Sequence, residues 1–244
     1  MIYFASDFHL GMPNYAESLE REKEIVRFLE TAAKDATEIY LLGDIFDFWF
    51  EYKHAVPKGF VRILACLAKI TDSGIPITLF KGNHDMWMFG YLEKECGVKI
   101  VSNELEIERS GKQFYLHHGD GLGPGDKGYK IIKKIFRSGV NQWMFERLHP
   151  NFGIWLANRL SKRSRLAQKE HYEEYMGDDK EFLTLFCKEF LKKKHVDFFI
   201  FGHRHLPLEI NVGENSRYVN LGEWLHHKTY ARFDGKQLEL LTWK

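Results

Sequence analysis

The chain has 244 residues, of which 44% are hydrophobic and 28% charged, and its formal net charge is +1. This length and composition allow one full hydrophobic core and exclude a disordered or fibrous protein. A net charge so close to zero argues against a nucleic acid as partner, because phosphate backbones are bound by an excess of basic residues.

Cysteine spacing and hydropathy indicate the compartment. The three cysteines lie far apart and form no pair of metal-binding or disulfide spacing. No apolar run approaches the roughly 20 residues of a membrane span, and no signal peptide precedes the first strand. We therefore expect a protein of the reducing cytoplasm.

Three short apolar strands alternate with two helices in the first third of the chain. The strands are predicted at Ile2–Ser6, Glu38–Leu42 and Ile75–Lys81, and the helices at Ala16–Lys34 and Lys58–Ser73. The helices are recognised by apolar residues that recur every three or four positions. This alternation predicts a parallel sheet with right-handed crossovers.

The remainder of the chain predicts a second group of strands. A hairpin is predicted at Glu104–Arg109 and Lys112–His117, a helix at Asp179–Lys194, a strand at Asp197–Phe201, and short strands from Leu208 to Trp243. The intervening stretch, at about 127–178, is basic, aromatic and mostly helical, and its sequence contains no metal-binding motif. We predict a single domain, residues 1–244, with this stretch inserted as a helical cap.

Five short polar segments follow the predicted strands. They are Asp7-Phe8-His9, Gly43-Asp44, Gly82-Asn83-His84-Asp85, His117-His118-Gly119-Asp120 and Gly202-His203-Arg204-His205. Sheets of this kind present their functional groups at the carboxyl ends of the strands. We therefore expect the five segments to meet in one site.

The donor atoms in these segments are those of a metal centre. The predicted ligands are Asp7, His9, Asp44, Asn83, His118, His203 and His205. Oxygen and nitrogen donors without a thiolate suit hard divalent ions such as Mn²⁺, Mg²⁺ or Fe²⁺. Two such ions about 4 Å apart activate water for attack on a phosphorus ester.

The two ions are expected to share a carboxylate. Asp44 is predicted to bridge them, with Asp7 and His9 on the first ion. Asn83 and His118 are predicted on the second ion. Each ion would take one histidine of the C-terminal pair, and the order of that pair stays open.

Two residues beside the ligands are predicted to be catalytic. His84 follows a ligand directly, and we expect it to donate a proton to the phosphoryl or leaving oxygen. Asp85 is predicted to orient His84. Asp120 is expected either to hydrogen-bond a ligating imidazole or to have a purely structural role.

The five segments resemble the calcineurin-like metallophosphoesterase superfamily, whose pattern is D-x-H, G-D, G-N-H-D, H-G and G-H-x-H. The resemblance implies an α/β fold in which a two-sheet β-sandwich is flanked by helices. It implies a dinuclear hydrolase but leaves the substrate open, because the superfamily acts on proteins, nucleic acids, nucleotides and lipids.

Three further stretches are similar to the UDP-2,3-diacylglucosamine hydrolases of lipid A biosynthesis. They are the aromatic run after Asp44, the D-x-G-Y segment Asp126–Tyr129 and the basic helix end at 158–165. The resemblance implies cleavage of the pyrophosphate of a diacylated UDP-glucosamine to lipid X and UMP. It further implies Mn²⁺ and a cap that holds the acyl chains. The best-known branch of that family has Arg where this chain has His84.

Substrate contacts and partners are also expected from this resemblance. By position, Asp126 would contact the glucosamine and Ser164 would lie near the substrate. Arg159 and Arg165 are further candidates for phosphate contacts. Asn83, His84 and His203 are expected to contact the substrate as well as to serve the metal site. We expect peripheral association with the cytoplasmic face of the inner membrane and no obligate protein partner.

The residues of the cap are consistent with a lipid. Lys127–Arg137 carries a basic face and an apolar face, as in helices that lie at a membrane interface. A dry channel beside the metals is predicted to be lined by Ile131, Ile135, Phe136, Phe145, Trp155 and Leu156. Alternatively, the aromatic residues only pack the cap onto the body. Another small phosphodiester, nucleotide or phospholipid is the alternative substrate, and a non-catalytic scaffold is the third possibility.

Overall fold

The computed structural model describes residues 1–124, 127–157, 159–161, 175, 177 and 180–244, except the side chain of Lys127. The strands are β1 (Ile2–Ala5), β2 (Glu38–Leu41), β3 (Ile77–Phe80), β4 (Lys99–Val101), β5 (Leu105–Arg109), β6 (Lys112–Leu116), β7 (Phe198–Phe201), β8 (Pro207–Gly213), β9 (Ser216–Leu221), β10 (Thr229–Phe233) and β11 (Leu238–Thr242). The helices are α1 (Tyr15–Ala32), α2 (Val61–Asp72), α3 (Tyr91–Cys96), α4 (Lys127–Arg137), α5 (Gly139–Glu146) and α6 (Phe182–Leu191). Residues 150–157 and 159–161 are also helical.

The strands form two sheets. One sheet has the order β11-β10-β1-β2-β3-β4, and the other has the order β5-β6-β7-β9-β8. The strands β1 to β4 run parallel, as predicted for the first three, and β10 and β11 add antiparallel strands at one edge. In the second sheet, β6, β7 and β9 are parallel.

The core is layered because alternate side chains of a strand point to opposite faces of the sheet. On β1, Ile2 and Phe4 belong to the cluster buried between the two sheets. Tyr3 and Ala5 belong to the cluster on the other face, together with residues of α1 and α2. A third cluster joins α6 to the outer face of the second sheet. The predicted two-sheet sandwich flanked by helices is confirmed.

Some predicted boundaries are wrong. The helix predicted from Lys58 begins only at Val61, because Gly59 and Phe60 have positive φ angles, of 108° and 58°, that a right-handed helix does not allow. The short elements α3 and β4 were not predicted. They contain six and three residues, too few to display a hydrophobic period.

The helix α4 is attached to the body by its basic residues. Lys133 Nζ lies 2.7 Å from Asp120 Oδ2, and Lys130 Nζ donates to a carbonyl of the same loop at 2.7 Å. Arg137 donates to Asn103 Oδ1 at 2.9 Å. These three side chains of the basic face of α4 therefore bind the body of the protein.

The apolar residues of α4 are turned outward instead. Ile131 is 59% exposed and Ile135 is 47% exposed, and Trp155 in the helical residues 150–157 is 52% exposed. The prediction that these residues line a dry channel is therefore wrong. Most of the exposed large apolar side chains among the described residues lie between positions 131 and 160. No helix in the described ranges is both long and apolar enough to cross a bilayer.

Candidate metal centre

The five polar segments meet at the carboxyl ends of β1, β2, β3, β6 and β7. The backbone there is unusual: among the described residues, five of the eight non-glycine residues with positive φ are predicted ligands, namely Asp7, His9, Asp44, His203 and His205. Left-handed backbone costs about 1–3 kcal/mol per residue and concentrates at functional sites. The loops therefore hold these side chains in orientations that the sequence alone does not reveal.

Two glycines allow the loops to approach each other. A Cβ atom added at Gly82 would overlap the Asp44 carboxylate, and one added at Gly202 would overlap the carboxylate of Asp7. The glycine before Asn83 and the glycine before His203 are thus required by packing against ligands of neighbouring strands.

The first group of donors contains Asp7, His9, Asp44 and His205, whose donor atoms all lie within 4.8 Å of one another. His205 Nε2 is 3.1 Å from Asp7 Oδ1 and 3.0 Å from His9 Nε2. His9 Nε2 is 3.9 Å from Asp44 Oδ2. Two imidazole nitrogens and two carboxylates thus converge on one point, which is the donor set of a divalent cation site.

The second group contains Asp44, His118 and His203. His118 Nε2 is 3.3 Å from Asp44 Oδ2 and 3.0 Å from Asn83 Oδ1. His118 Nδ1 donates to the Leu42 carbonyl at 2.7 Å, which leaves Nε2 as the nitrogen that faces the other donors. Asp44 belongs to both groups, as expected of a bridging carboxylate. The structure places His205 in the first group and His203 in the second.

The electrostatics of the site also fit cations. The carboxylates of Asp7 and Asp44 are fully buried among the imidazoles of the two donor groups. Burial acts to raise the pKa of Asp7, but hydrogen bonds from His205 and His9 outweigh it and hold that pKa below its ordinary value. Burial lowers the pKa of His203 to about 3, which favours the neutral imidazole that binds metals. These ionised carboxylates and the neutral imidazole fit a pair of divalent ions.

His84 is oriented by Asp47 rather than by Asp85. His84 Nδ1 lies 3.1 Å from the Asp47 carbonyl oxygen and 3.6 Å from Asp47 Oδ1. The Asp85 carboxylate instead accepts backbone N–H groups, from Ile45 and Gly82 at 2.8 Å each. The prediction that Asp85 orients His84 is therefore wrong, since its oxygens are used to hold the two loops together.

These contacts decide what loss of Asp85 would do. Asp85→Ala leaves the buried amides of the Gly43-Asp44 and Gly82-Asn83 loops without their acceptor, at a cost of about 1–3 kcal/mol for each unsatisfied group. We expect the free energy of unfolding to fall by about 2–4 kcal/mol in urea denaturation. Metal affinity, measured by titration, should fall about 10–100-fold because Asp44 loses its support.

The exposed residue Asp72 provides the control. Asp72→Ala should change the free energy of unfolding by no more than about 0.5 kcal/mol. An Asp85→Ala protein as stable as this control would contradict the assigned role.

A family model described as Calcineurin-like phosphoesterase matches residues 1–207 of the chain. The chain belongs to the calcineurin-like phosphoesterase family.

A protein of Porphyromonas gingivalis (strain ATCC BAA-308 / W83) named UDP-2,3-diacylglucosamine hydrolase is 36% identical, over 98% of this chain and 96% of the relative. A relative of the same name from Edwardsiella ictaluri (strain 93-146) is 26% identical over 98% and 90% of the two chains. Among solved structures, the phosphoesterase Yfce of E. coli has a TM-score of 0.46 and 16% identity, and covers 99% of this chain and 92% of that chain.

Membership of the calcineurin-like phosphoesterase family makes the protein a metal-dependent hydrolase. The possibility that the chain is a non-catalytic scaffold is therefore wrong. The identity of the ions and the role of each ligand remain predictions.

Asp47 is a residue of the site that the sequence reasoning missed. Its Oδ1 lies 3.5 Å from His9 Nδ1 and 3.6 Å from His84 Nδ1, so it touches the side of each ring away from Nε2. The available signal was its position three residues after Asp44 in the loop that follows β2. Because its neighbours are apolar, the sequence pattern indicates Asp47 only as part of the aromatic run after Asp44.

The contacts of Asp120 favour the structural one of its two predicted roles. Its carboxylate accepts a hydrogen bond from the Tyr129 hydroxyl at 2.5 Å and pairs with Lys133. Both partners lie on α4, so the Asp120 carboxylate binds that helix to the loop after His118.

Most of the predicted substrate contacts on the insertion lie outside the described residues, namely Asp126, Ser164 and Arg165. Arg159 is exposed, and its guanidinium carbon lies 5.6 Å from the centre of the Trp155 ring. This contact places Arg159 over an aromatic face.

Aromatic side chains connect α5 to the loops of the metal centre. The Phe145 ring lies 4.8 Å from the rings of both Phe50 and Trp87, which follow the Gly43-Asp44 and Gly82-Asn83 loops. A cleft of about 770 Å³ is lined in part by Phe50, Phe89 and Trp143. None of the predicted metal ligands lines this cleft.

Proposed function

We propose that this protein hydrolyses the pyrophosphate bond of UDP-2,3-diacylglucosamine to give 2,3-diacylglucosamine 1-phosphate (lipid X) and UMP. The observation that carries the proposal is 36% identity, over nearly the full length of both chains, to a relative named for that activity. The converging donors of the metal centre support the same reaction class. We propose Mn²⁺ as the ion, since the oxygen and nitrogen donors suit it.

The ligands assigned to the two ions are proposed from the geometry. Asp7, His9 and His205 would hold the first ion, Asn83, His118 and His203 would hold the second, and Asp44 would serve both. Bound divalent ions polarise phosphoryl oxygens and lower the pKa of water to near neutrality. A new bond then forms from water oxygen to one phosphorus while the bond from that phosphorus to the bridging oxygen breaks.

His84 is proposed to supply the proton that the leaving phosphate needs. The Asp47 carbonyl oxygen and the Ser161 hydroxyl lie beside its Nδ1. The proton is therefore transferred from Nε2. The side chain is 15% exposed, so its ring is partly accessible rather than sealed in the core. A general acid held in this way typically contributes about 10²–10⁴-fold to the rate.

Removal of this imidazole gives a direct test. His84→Ala should lower kcat for an aryl phosphodiester by about 10²-fold. The metal content, measured by elemental analysis, should stay equal to that of the wild type, because His84 is not among the proposed ligands. The exposed histidine in His54→Ala provides the matched control and should leave kcat unchanged. Loss of metal together with activity would reassign His84 as a ligand.

We also propose that the stretch at 127–178 is a cap that receives the acyl chains. The Phe136 ring lies 5.5 Å from the ring of Trp87, and Trp87 follows His84 by three residues. Phe136 thus lies near the site, and Ile135 and Ile131 are further exposed apolar side chains of the same helix. An acyl chain that covers them would remove both apolar surfaces from water.

The helix α5 is proposed to rest on the cytoplasmic face of the inner membrane. Its exposed side chains include Val140 at 68%, Trp143 at 56% and Met144 at 57%. The Arg147 guanidinium lies 4.4 Å from the centre of the Trp143 ring. An aromatic ring beside a cation is typical of residues at the boundary between lipid tails and headgroups.

Vesicle binding tests this orientation. In cosedimentation with phosphatidylglycerol vesicles, Val140→Ser combined with Met144→Ser should lower the partition coefficient about tenfold or more, since each buried apolar side chain contributes about 1.5–3 kcal/mol. Val61→Ser removes an equally exposed aliphatic residue from α2 and should have no effect. Equal binding of the double variant and this control would contradict the proposed orientation.

A further inference from the structure

In the described part of the insertion, a hydroxyl group lies beside the proposed catalytic histidine. Ser161 Oγ lies 3.1 Å from His84 Nδ1, although the two residues are 77 positions apart in the chain. The Asp47 carbonyl oxygen lies 3.1 Å from the same nitrogen. A carbonyl oxygen can only accept, so Nδ1 carries the proton and Ser161 Oγ is a second acceptor for it.

The ring of His84 is therefore confined from several directions. The His9 ring stands nearly perpendicular to it, with an interplanar angle of 87° and a distance of 5.0 Å between ring centres. Asp47 and Ser161 hold its Nδ1 side. Of these neighbours, His9 and Asp47 belong to the loops of the sandwich, whereas Ser161 comes from the helical stretch at 159–161.

We infer that Ser161 is a positioning residue for His84. Its hydroxyl helps to hold one ring proton on Nδ1 and sets the plane of the ring, so that Nε2, which carries the second proton of the imidazolium form, points to the leaving phosphate. Docking of the insertion onto the sandwich thereby completes the catalytic site as well as covering it. The inference rests on the proposed role of His84 in phosphoester hydrolysis.

A double-mutant cycle in the full-length, metal-loaded protein tests the inference. Ser161→Ala should lower kcat for an aryl phosphodiester about 5–10-fold, with KM changed less than about twofold. Ser161→Thr, which keeps the hydroxyl, should recover most of the lost rate. In the His84→Ala background, Ser161→Ala should have no further effect on kcat, because the two residues act as one unit. Ser138→Ala removes another hydroxyl of the insertion and should behave as wild type.

A spectroscopic readout separates positioning from simple packing. In the neutral form of the ring, left after Nε2 has given up its proton, the ¹⁵N shifts of His84 should identify the Nδ1–H tautomer in the wild type and in Ser161→Thr. They should indicate a mixture of tautomers in Ser161→Ala.

The inference is overturned if Ser161→Ala leaves kcat unchanged, or lowers it equally with and without His84. It is also overturned if only KM rises, since Ser161 would then contact substrate directly. An aryl phosphodiester contains neither uridine nor acyl chains. A failure of the proposed lipid-nucleotide substrate would therefore leave this cycle intact and would be recognised separately.

Discussion

Asp44→Asn should abolish the dinuclear centre. An amide offers a single oxygen to cations, so it cannot serve both donor groups to which Asp44 belongs. Elemental analysis of protein reconstituted with Mn²⁺ should find two ions per chain in the wild type and one or fewer in the variant. Since a metal ion stabilises the transition state by several kcal/mol, we expect kcat to fall about 10³-fold or more.

The control for this loss is Asp72→Asn, which makes the same chemical change at an exposed position on α2. It should keep both ions and full activity. Two ions and near-normal activity in Asp44→Asn would refute the bridging role. A single ion in the metal-replete wild type would refute the dinuclear arrangement itself.

The diacylated UDP-glucosamine should be hydrolysed far more efficiently than UDP-glucosamine without acyl chains. Covering only about five methylene groups, at about 0.8 kcal/mol each, is equivalent to about 10³-fold in kcat/KM. The exposed face of α4 provides the apolar surface for this contact. Binding energy from the chains can then be used to hold the pyrophosphate at the metal centre.

Variants of α4 locate this contribution. Ile131→Ser and Ile135→Ser should each lower kcat/KM for the diacylated substrate about tenfold and leave an aryl phosphodiester unaffected. Val61→Ser, on a helix remote from the insertion, is the matched control. Equal kcat/KM values for UDP-glucosamine with and without acyl chains would favour the small-phosphodiester alternative. The exposed apolar face of α4 would then have no role in substrate binding.

Much of the fold could be predicted because its signals are local. The strands that end at the metal centre are short apolar runs, and α1 and α2 repeat apolar residues with a helical period. The donor residues follow the strands directly, so the architecture of a parallel sheet brings them to one edge. The elements α3 and β4 escaped prediction because they are too short to carry such a period.

The assignment of individual side chains depended on contacts between distant parts of the chain. His203 and His205 are neighbours in one loop, and only its left-handed turns place His205 near Asp7 and His203 near His118. The role of Asp85 was decided by amides of the loop after β2, which lie about forty residues earlier in the chain.

The sequence by itself determined the alternation of parallel strands and helices, the candidate donor residues and the amphipathic character of α4, since each depends on residue type and spacing along a short segment. Tertiary structure alone decided which face of α4 is turned inward, because Asp120 and Asn103 supply the partners of Lys133 and Arg137. It also brought Ser161 to His84, a contact that no local pattern encodes because it forms only when the insertion packs against the loops of the sandwich.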